Sequence, residues 1–205
     1  MDITTIEQLE AVVGLPGDRA LAKERVALTE IDRAWLAASP FCVLATADAD
    51  GRCDASPKGD PPGRLVHVID DGTIALSDRP GNKRVDGYRN VVDNPSVGLD
   101  FFIPGRADTL RVNGRAKLVS DAPFFDAMAV RGQRPILALV VDIETVFFHC
   151  GKAFMRSQLW EPETWDPGAV PRRAVIAQAL EPQPGKTLED LDDYYRPDNY
   201  AKGLY

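Results

Sequence analysis

Soft metal ligands are scarce in this chain, which has 2 histidines and 3 cysteines among 205 residues. His67 and His149 are too few for a histidine-rich metal centre, and no metal site is expected. Cys42, Cys53 and Cys150 form no CxxC pair and leave an odd one over. That excludes a disulfide framework and fits reduced thiols in a cytoplasmic protein. No apolar run is long enough to span a bilayer. The opening Met1-Asp2-Ile3-Thr4-Thr5-Ile6-Glu7 has neither the positive start nor the apolar centre of a signal peptide. A cytoplasmic location without membrane contact is the expectation.

Positive charge is also in deficit. Lys and Arg number 24 against 31 Asp and Glu, a formal net charge of −7. General nucleic-acid binding needs a basic face and is not expected, whereas a local cationic pocket is compatible with this balance. Common catalytic signatures are missing as well. Gly185-Lys186-Thr187 ends like a phosphate-binding P-loop, but Leu180 holds the position of its first glycine. There is no G-x-S-x-G elbow and no G-x-G-x-x-G fingerprint. His149 and Cys150 are adjacent in sequence and would point to opposite faces of a strand, which argues against a thiol dyad. The simpler reading of His149 is a hydrogen-bonded strand-end residue.

The residues that are present read as two helices, then closely spaced strands with helical insertions, an arrangement that suggests a β-barrel. Thr4 to Glu7 has capping-box spacing and opens a short amphipathic helix with Ile6, Leu9 and Val13, ended by Gly14 and Pro16. A longer helix is expected from near Arg19 to near Ala38, with Leu21, Leu28, Ile31 and Trp35 on one side. Residues 41–47 and 52–57 flank Asp50-Gly51, and residues 64–69 and 73–77 flank Asp70-Asp71-Gly72; both read as hairpins. Asn82 to Asp93 reads as a helix stopped by Asn94-Pro95. Residues 96–103 form a strand, and residues 108–119 alternate Leu110, Val112, Gly114, Ala116 and Leu118 against polar neighbours. A helix is expected from Asp121 to about Val130, a strand over 136–148, and further helices over 172–180 and from Thr187.

Two punctuated segments carry the candidate chemistry. Ser56-Pro57-Lys58-Gly59-Asp60-Pro61-Pro62-Gly63 places a hydroxyl and an ammonium where a strand becomes a loop stiffened by proline and opened by glycine. Ser77-Asp78-Arg79-Pro80-Gly81-Asn82-Lys83-Arg84 follows another strand and leads into a helix. The bland alternatives are a solvated turn and an ordinary helix start. Cations in a first helical turn oppose the dipole, however, and a bound anion such as phosphate would remove that conflict. Arg111 and Asn113 also suit a plain outward strand face. Phe147 and Phe148 suit core packing, although with Trp160 and Trp165 they could cover a flat ring.

Together these stretches resemble the pyridoxamine 5′-phosphate oxidase-like FMN-binding proteins, and most closely an FMN-dependent subgroup of that class. Further matches are Asp78 to Asn82, Asn94 to Leu99, Leu110 to Ala116, Phe147 to Ala153 and Arg156 to Trp160. The resemblance implies a mainly β fold with flanking helices, a split β-barrel that forms a homodimer with FMN between the subunits. It implies a helical segment over 1–40 packed on the barrel, the FMN-binding barrel over 41–160, and an irregular extension with short helices over 161–205. Carried over by position, Ser56 and Lys58 face the isoalloxazine and ribityl chain, and Ser77 and Asp78 lie beside the cofactor. Asn82, Lys83 and Arg84 hold the phosphate, Thr109 and Arg111 meet the flavin from the other side, and Arg156 corresponds to a late arginine of the oxidase site. The substrate-contacting ending and the separate glutamine-serine loop of the true oxidases are missing. The implied activity is an FMN-dependent oxidoreductase passing hydride through flavin N5, with NADH or NADPH as a possible donor and no assigned general acid or base. The other readings are a non-catalytic flavin-binding, storage or redox-sensing protein, or the same fold with a deazaflavin or with haem on His67 or His149.

Overall fold

The computed structural model describes residues 2–181 and 183–205; Met1 of the opening stretch and Pro182 lie outside it. The chain begins with α1 (Ile6–Val13), α2 (Asp18–Leu21) and α3 (Glu30–Ala38). Thr5 caps α1 by accepting from the Gln8 amide, yet α1 buries none of its side chains. The long helix expected from Arg19 to Ala38 is instead two helices with an extended link. Within that link the Arg25 amide donates to Val146 O at 3.1 Å, and the Val146 amide donates back to Arg25 O at 2.8 Å. Thr29 then starts α3 through a reciprocal capping box with Asp32, a cap worth about 1 kcal/mol. The buried Asp32 carboxylate also binds Arg25 at 2.6 Å. The break moves Leu21 and Ile31 off the common face; both are exposed, while Leu28, Trp35 and Leu36 are buried.

Strands β1 (Phe41–Ala47), β2 (Cys53–Gly59), β3 (Val66–Val68) and β4 (Thr73–Ser77) follow, as two hairpins. Next come α4 (Asp86–Asp93), β5 (Ser96–Phe102) and β6 (Thr109–Val119), then a 3₁₀ segment at Pro123–Met128 and β7 (Ala138–His149). The expected helix over 121–130 is thus only that 3₁₀ segment. The helix expected from Asn82 starts at Asp86, four residues later. These seven strands form one sheet in the order β2-β1-β5-β6-β7-β4-β3, antiparallel at every pairing. This is the mainly β split barrel with flanking helices that the resemblance implies.

Inward residues of the strands make the main core with α3 and α4, including Leu44, Ile74, Leu99, Phe101, Val112 and Val146. The start of β7 is apolar on both faces for a specific reason. Leu139 and Val141 enter the main core, while Val140 packs with Ala75 and Met128 under the 3₁₀ segment. Helix α5 (Lys152–Ser157) follows β7, and the extension carries α6 (Arg173–Leu180), α7 (Leu188–Tyr195) and α8 (Pro197–Tyr200). Helices α6 and α7 form a separate small core around Ala174, Ala177 and Leu191. No helix of the described residues is long and apolar enough to cross a membrane.

Cys42 faces the main core from β1, whereas Cys53 and Cys150 are exposed. Burial pushes the Cys42 thiol from 9.0 up to about 12. A thiol reagent at neutral pH should therefore modify Cys53 and Cys150 in the native protein, and Cys42 only in denaturant; rapid labelling of all three would contradict this packing. Above pH 9.0 the unfolded thiol loses a proton that the folded one keeps until about 12. This contribution to stability therefore falls with rising pH across that window, by at most about 1.4 kcal/mol per pH unit. Urea midpoints of Cys42→Ala should decline less steeply there than those of the parent.

Candidate anion and cofactor pocket

The pocket forms where edge strand β2 meets α4 and the end of β4. Alternation along β2 turns Ser56 and Lys58 toward the core side. Gly87 lets α4 approach them, since a Cβ there would lie 3.2 Å from Thr46 Oγ1 and 3.6 Å from Ser56 Oγ. Lys58 Nζ donates to the Tyr88 hydroxyl at 2.9 Å and sits 4.3 Å from the centre of the Tyr88 ring. Its nearest carboxylate is Asp78, at 3.9 Å. Burial lowers the Lys58 pKa, partly offset by Asp78 and Cys42. Burial first, and then Asp78, raises that of Tyr88. An ammonium in this position gains from any further negative charge.

Asp60 anchors the second wall. Its side chain is 1% exposed and accepts from Arg79 Nε at 2.8 Å. It also accepts from Ser77 Oγ at 3.2 Å and from the Tyr205 hydroxyl at 3.0 Å. Arg79 Nη2 donates to Met128 O at 2.8 Å. Pairing a buried carboxylate this fully is what makes its burial tolerable. The same bonds set the position of the Arg79 guanidinium.

Residues 79–85 then cross to α4 as an irregular strap. Asn82 Oδ1 accepts from the Arg84 amide at 2.9 Å, and Lys83 adopts φ 61°. That left-handed residue keeps a helix from starting at Asn82. The first helical turn holds Asp86, which suits the dipole. The expected clash between Lys83, Arg84 and the helix dipole is therefore removed by geometry. Arg84 pairs with Asp86; Lys83 makes no ion pair among the described residues.

Lys58, Asp78, Arg79, Asn82, Lys83 and Arg84 all line one cavity of about 580 Å³. Four cationic side chains and one carboxylate line it, a balance that suits an anion even though Arg79 and Arg84 are also paired with Asp60 and Asp86; the volume is that of a nucleotide-sized ligand. A wider groove of about 1090 Å³ at α7 and α8 is lined by Glu189, Asp190, Asp192 and Asp193 together with Lys186, Arg196 and Lys202, and so lacks the cationic excess of the first cavity. Among the described residues, no three His, Cys, Asp or Glu side chains are grouped to hold a metal ion.

The other sequence candidates are placed as follows. Ser56 lies behind Gly87, and Ser77 is buried against Asp60. Thr109 is buried and pairs with His149 across β6 and β7. Arg111 stands on the opposite face of the sheet from Lys58. The row Lys58–Cys42–Phe101–Leu110 faces inward, whereas the row Pro57–Val43–Asp100–Arg111 faces outward. Arg156 lies on α5, exposed and away from the cavity lining. Asp60, Arg79 and Tyr88 had no assigned role in the sequence. Arg79 lies inside a flagged motif, but nothing local shows that it pairs with Asp60.

The fold defines the class as a split-barrel protein, with a cation-lined pocket at the edge of its sheet. Residues 28–150, more than half of the chain, match the family model described as pyridoxamine 5′-phosphate oxidase. The chain belongs to that family. Similar solved structures include HupZ of Group A Streptococcus, with 20% identity, 59% of this chain and 93% of that chain covered, and TM-score 0.47. An F420 reductase gives 19%, 60%, 98% and 0.42 in the same order. HutZ of Vibrio cholerae, described as a haem storage protein, gives 17%, 57%, 89% and 0.41. None of these likenesses assigns a ligand to this chain. No curated protein matches it in sequence at a significant level.

Proposed function

We propose that this protein is an FMN-dependent oxidoreductase of the pyridoxamine 5′-phosphate oxidase family, acting on a small organic or nicotinamide donor. The observation that carries the reading is the cavity lined by Lys58, Arg79, Lys83 and Arg84 with Asp78 as its one lining carboxylate, although Arg79 and Arg84 are also paired with Asp60 and Asp86 behind it. That donor set fits an anionic cofactor: Asn82, Lys83 and Arg84 would hold the phosphate, and Lys58 and Asp78 would face the remainder, while Ser56 and Ser77 stand behind the lining and support it. Bound FMN supplies the two-electron hydride chemistry, so the chain itself needs no nucleophile. The ammonium of Lys58, steered by Tyr88 and Asp78, favours electron-rich character in the ring beside it. Three free thiols fit a reducing cytoplasm.

The site is read as shared between two copies. Arg111 and Arg156 lie away from the cavity of their own chain, so a second subunit would have to bring them to it, whereas Thr109 is buried within its own sheet and would not reach a partner's ligand.

Titration with FMN tests the reading. One FMN per chain with quenched flavin fluorescence is expected, and NADH or NADPH should bleach the visible flavin band. A Soret band on adding haem, with no FMN binding, would overturn the cofactor. FMN binding without nicotinamide or substrate turnover would favour storage or redox sensing. Flavin affinity should also fall on dilution below the dimer dissociation constant; a monomer binding FMN equally well would contradict the shared site.

A further inference from the structure

The Asp60 cluster holds one member from outside the family-matched segment. Tyr205 lies 145 positions from Asp60 in sequence, yet its hydroxyl donates to Asp60 Oδ1 at 3.0 Å. The Tyr205 ring lies 5.7 Å from the Arg79 guanidinium and 5.2 Å from that of Arg131. Arg131 reaches it from a turn in which its own φ is 51°, a conformation that costs a non-glycine residue about 1 kcal/mol. Asp60 in turn holds Arg79, and Arg79 lines the anion cavity.

Among the described residues, Tyr205 is the side chain of the extension that bonds into the Asp60–Arg79 cluster. Helices α6 and α7 bury their apolar residues against each other, in a cluster separate from the barrel core. Tyr205 is therefore where the extension meets the cavity wall. Burial, and then the bond to Asp60, raises its pKa, so the phenol keeps the proton that it donates.

We propose that Tyr205 is a positioning residue for the pocket. By bonding Asp60 and lying within cation–π distance of Arg79 and Arg131, it holds the Arg79 guanidinium at the cavity wall and couples docking of the extension to ligand binding. This rests on the FMN reading of the same cavity. Because coupling is reciprocal, a bound ligand also secures the 197–205 segment.

The test is a double-mutant cycle on the full chain with FMN as ligand. Tyr205→Ala should weaken FMN binding about tenfold, and Tyr205→Phe, which keeps the ring, about threefold. In an Arg79→Gln background, which keeps a donor for Asp60, Tyr205→Ala should cost little more. An equal loss in both backgrounds would make Tyr205 a general stabiliser and overturn the proposal, as would unchanged affinity in Tyr205→Ala. Hydrogen exchange gives a flavin-independent readout: Tyr205→Ala should speed exchange at residues 78–84 without ligand. Unchanged exchange there overturns the proposal even if the parent protein binds no FMN, an outcome that would sink only the cofactor reading. In the parent, FMN should slow exchange over 197–205.

Discussion

Replacing Lys83 and Arg84 together with alanine should weaken FMN binding about a hundredfold and leave riboflavin binding within about threefold of the parent. Charge-assisted hydrogen bonds contribute about 1.5–3 kcal/mol each. Lys83 makes no ion pair among the described residues, so its full contribution is at stake. Arg84 already holds Asp86, which offsets part of what a phosphate would gain from it. A combined loss near 3 kcal/mol corresponds to about a hundredfold. Fluorescence titration with both flavins reads the difference directly. Equal losses for FMN and riboflavin would place the phosphate elsewhere, and unchanged FMN affinity would remove these two residues from the site.

The second large effect is on the barrel itself. Gly114 stands at the register shift between β6 and β7. A Cβ there would lie 2.1 Å from Asp142 O and 3.1 Å from Val141 Cγ1. The first of these atoms is backbone, so no side-chain rotation relieves the overlap and the bulge must open. Gly114→Ala should cost about 3 kcal/mol, within the usual range for overpacking. For a chain of this size the expected fall in melting temperature is roughly 10 °C. Gly98→Ala is the matched control, because its Cβ would meet side-chain atoms alone, Asn113 Oδ1 at 3.4 Å and Ala45 Cβ at 3.9 Å. A Gly114→Ala protein that melts with the parent would mean that the two strands are less closely apposed than this bulge requires.

Much of the fold is legible residue by residue. Asp48 Oδ1 accepts from the Asp50 and Arg52 amides, and Asp70 Oδ1 from the Gly72 amide. Both hairpins can therefore be read from their turn residues, since short Asp side chains bond their own turn backbone. The alternation of β6 and the Thr187–Asp190 capping box are equally local. Where the reading failed, the competing interaction was distant. Arg25 leaves the expected helix because Val146 of β7 offers it a strand partner. Helix α4 starts late because Lys83 is left-handed, which nothing in Asn82-Lys83-Arg84 announces.

The same division runs through the site. From the residues alone come the strand set, the turns, two cation-bearing strand ends and the resemblance to a flavin-binding family, because all of these rest on local chemistry and short-range pattern. Three-dimensional closure of the barrel was needed to show that Lys58 joins Arg79, Lys83 and Arg84 in one cavity, and that Arg111 faces away. A strand's period of two assigns each side chain a face, but only register with its neighbours decides what lies beyond that face. Asp60, Arg79 and Tyr205 meet because the barrel and the extension bring distant segments together. A bond across 145 positions leaves no periodic trace in the chain.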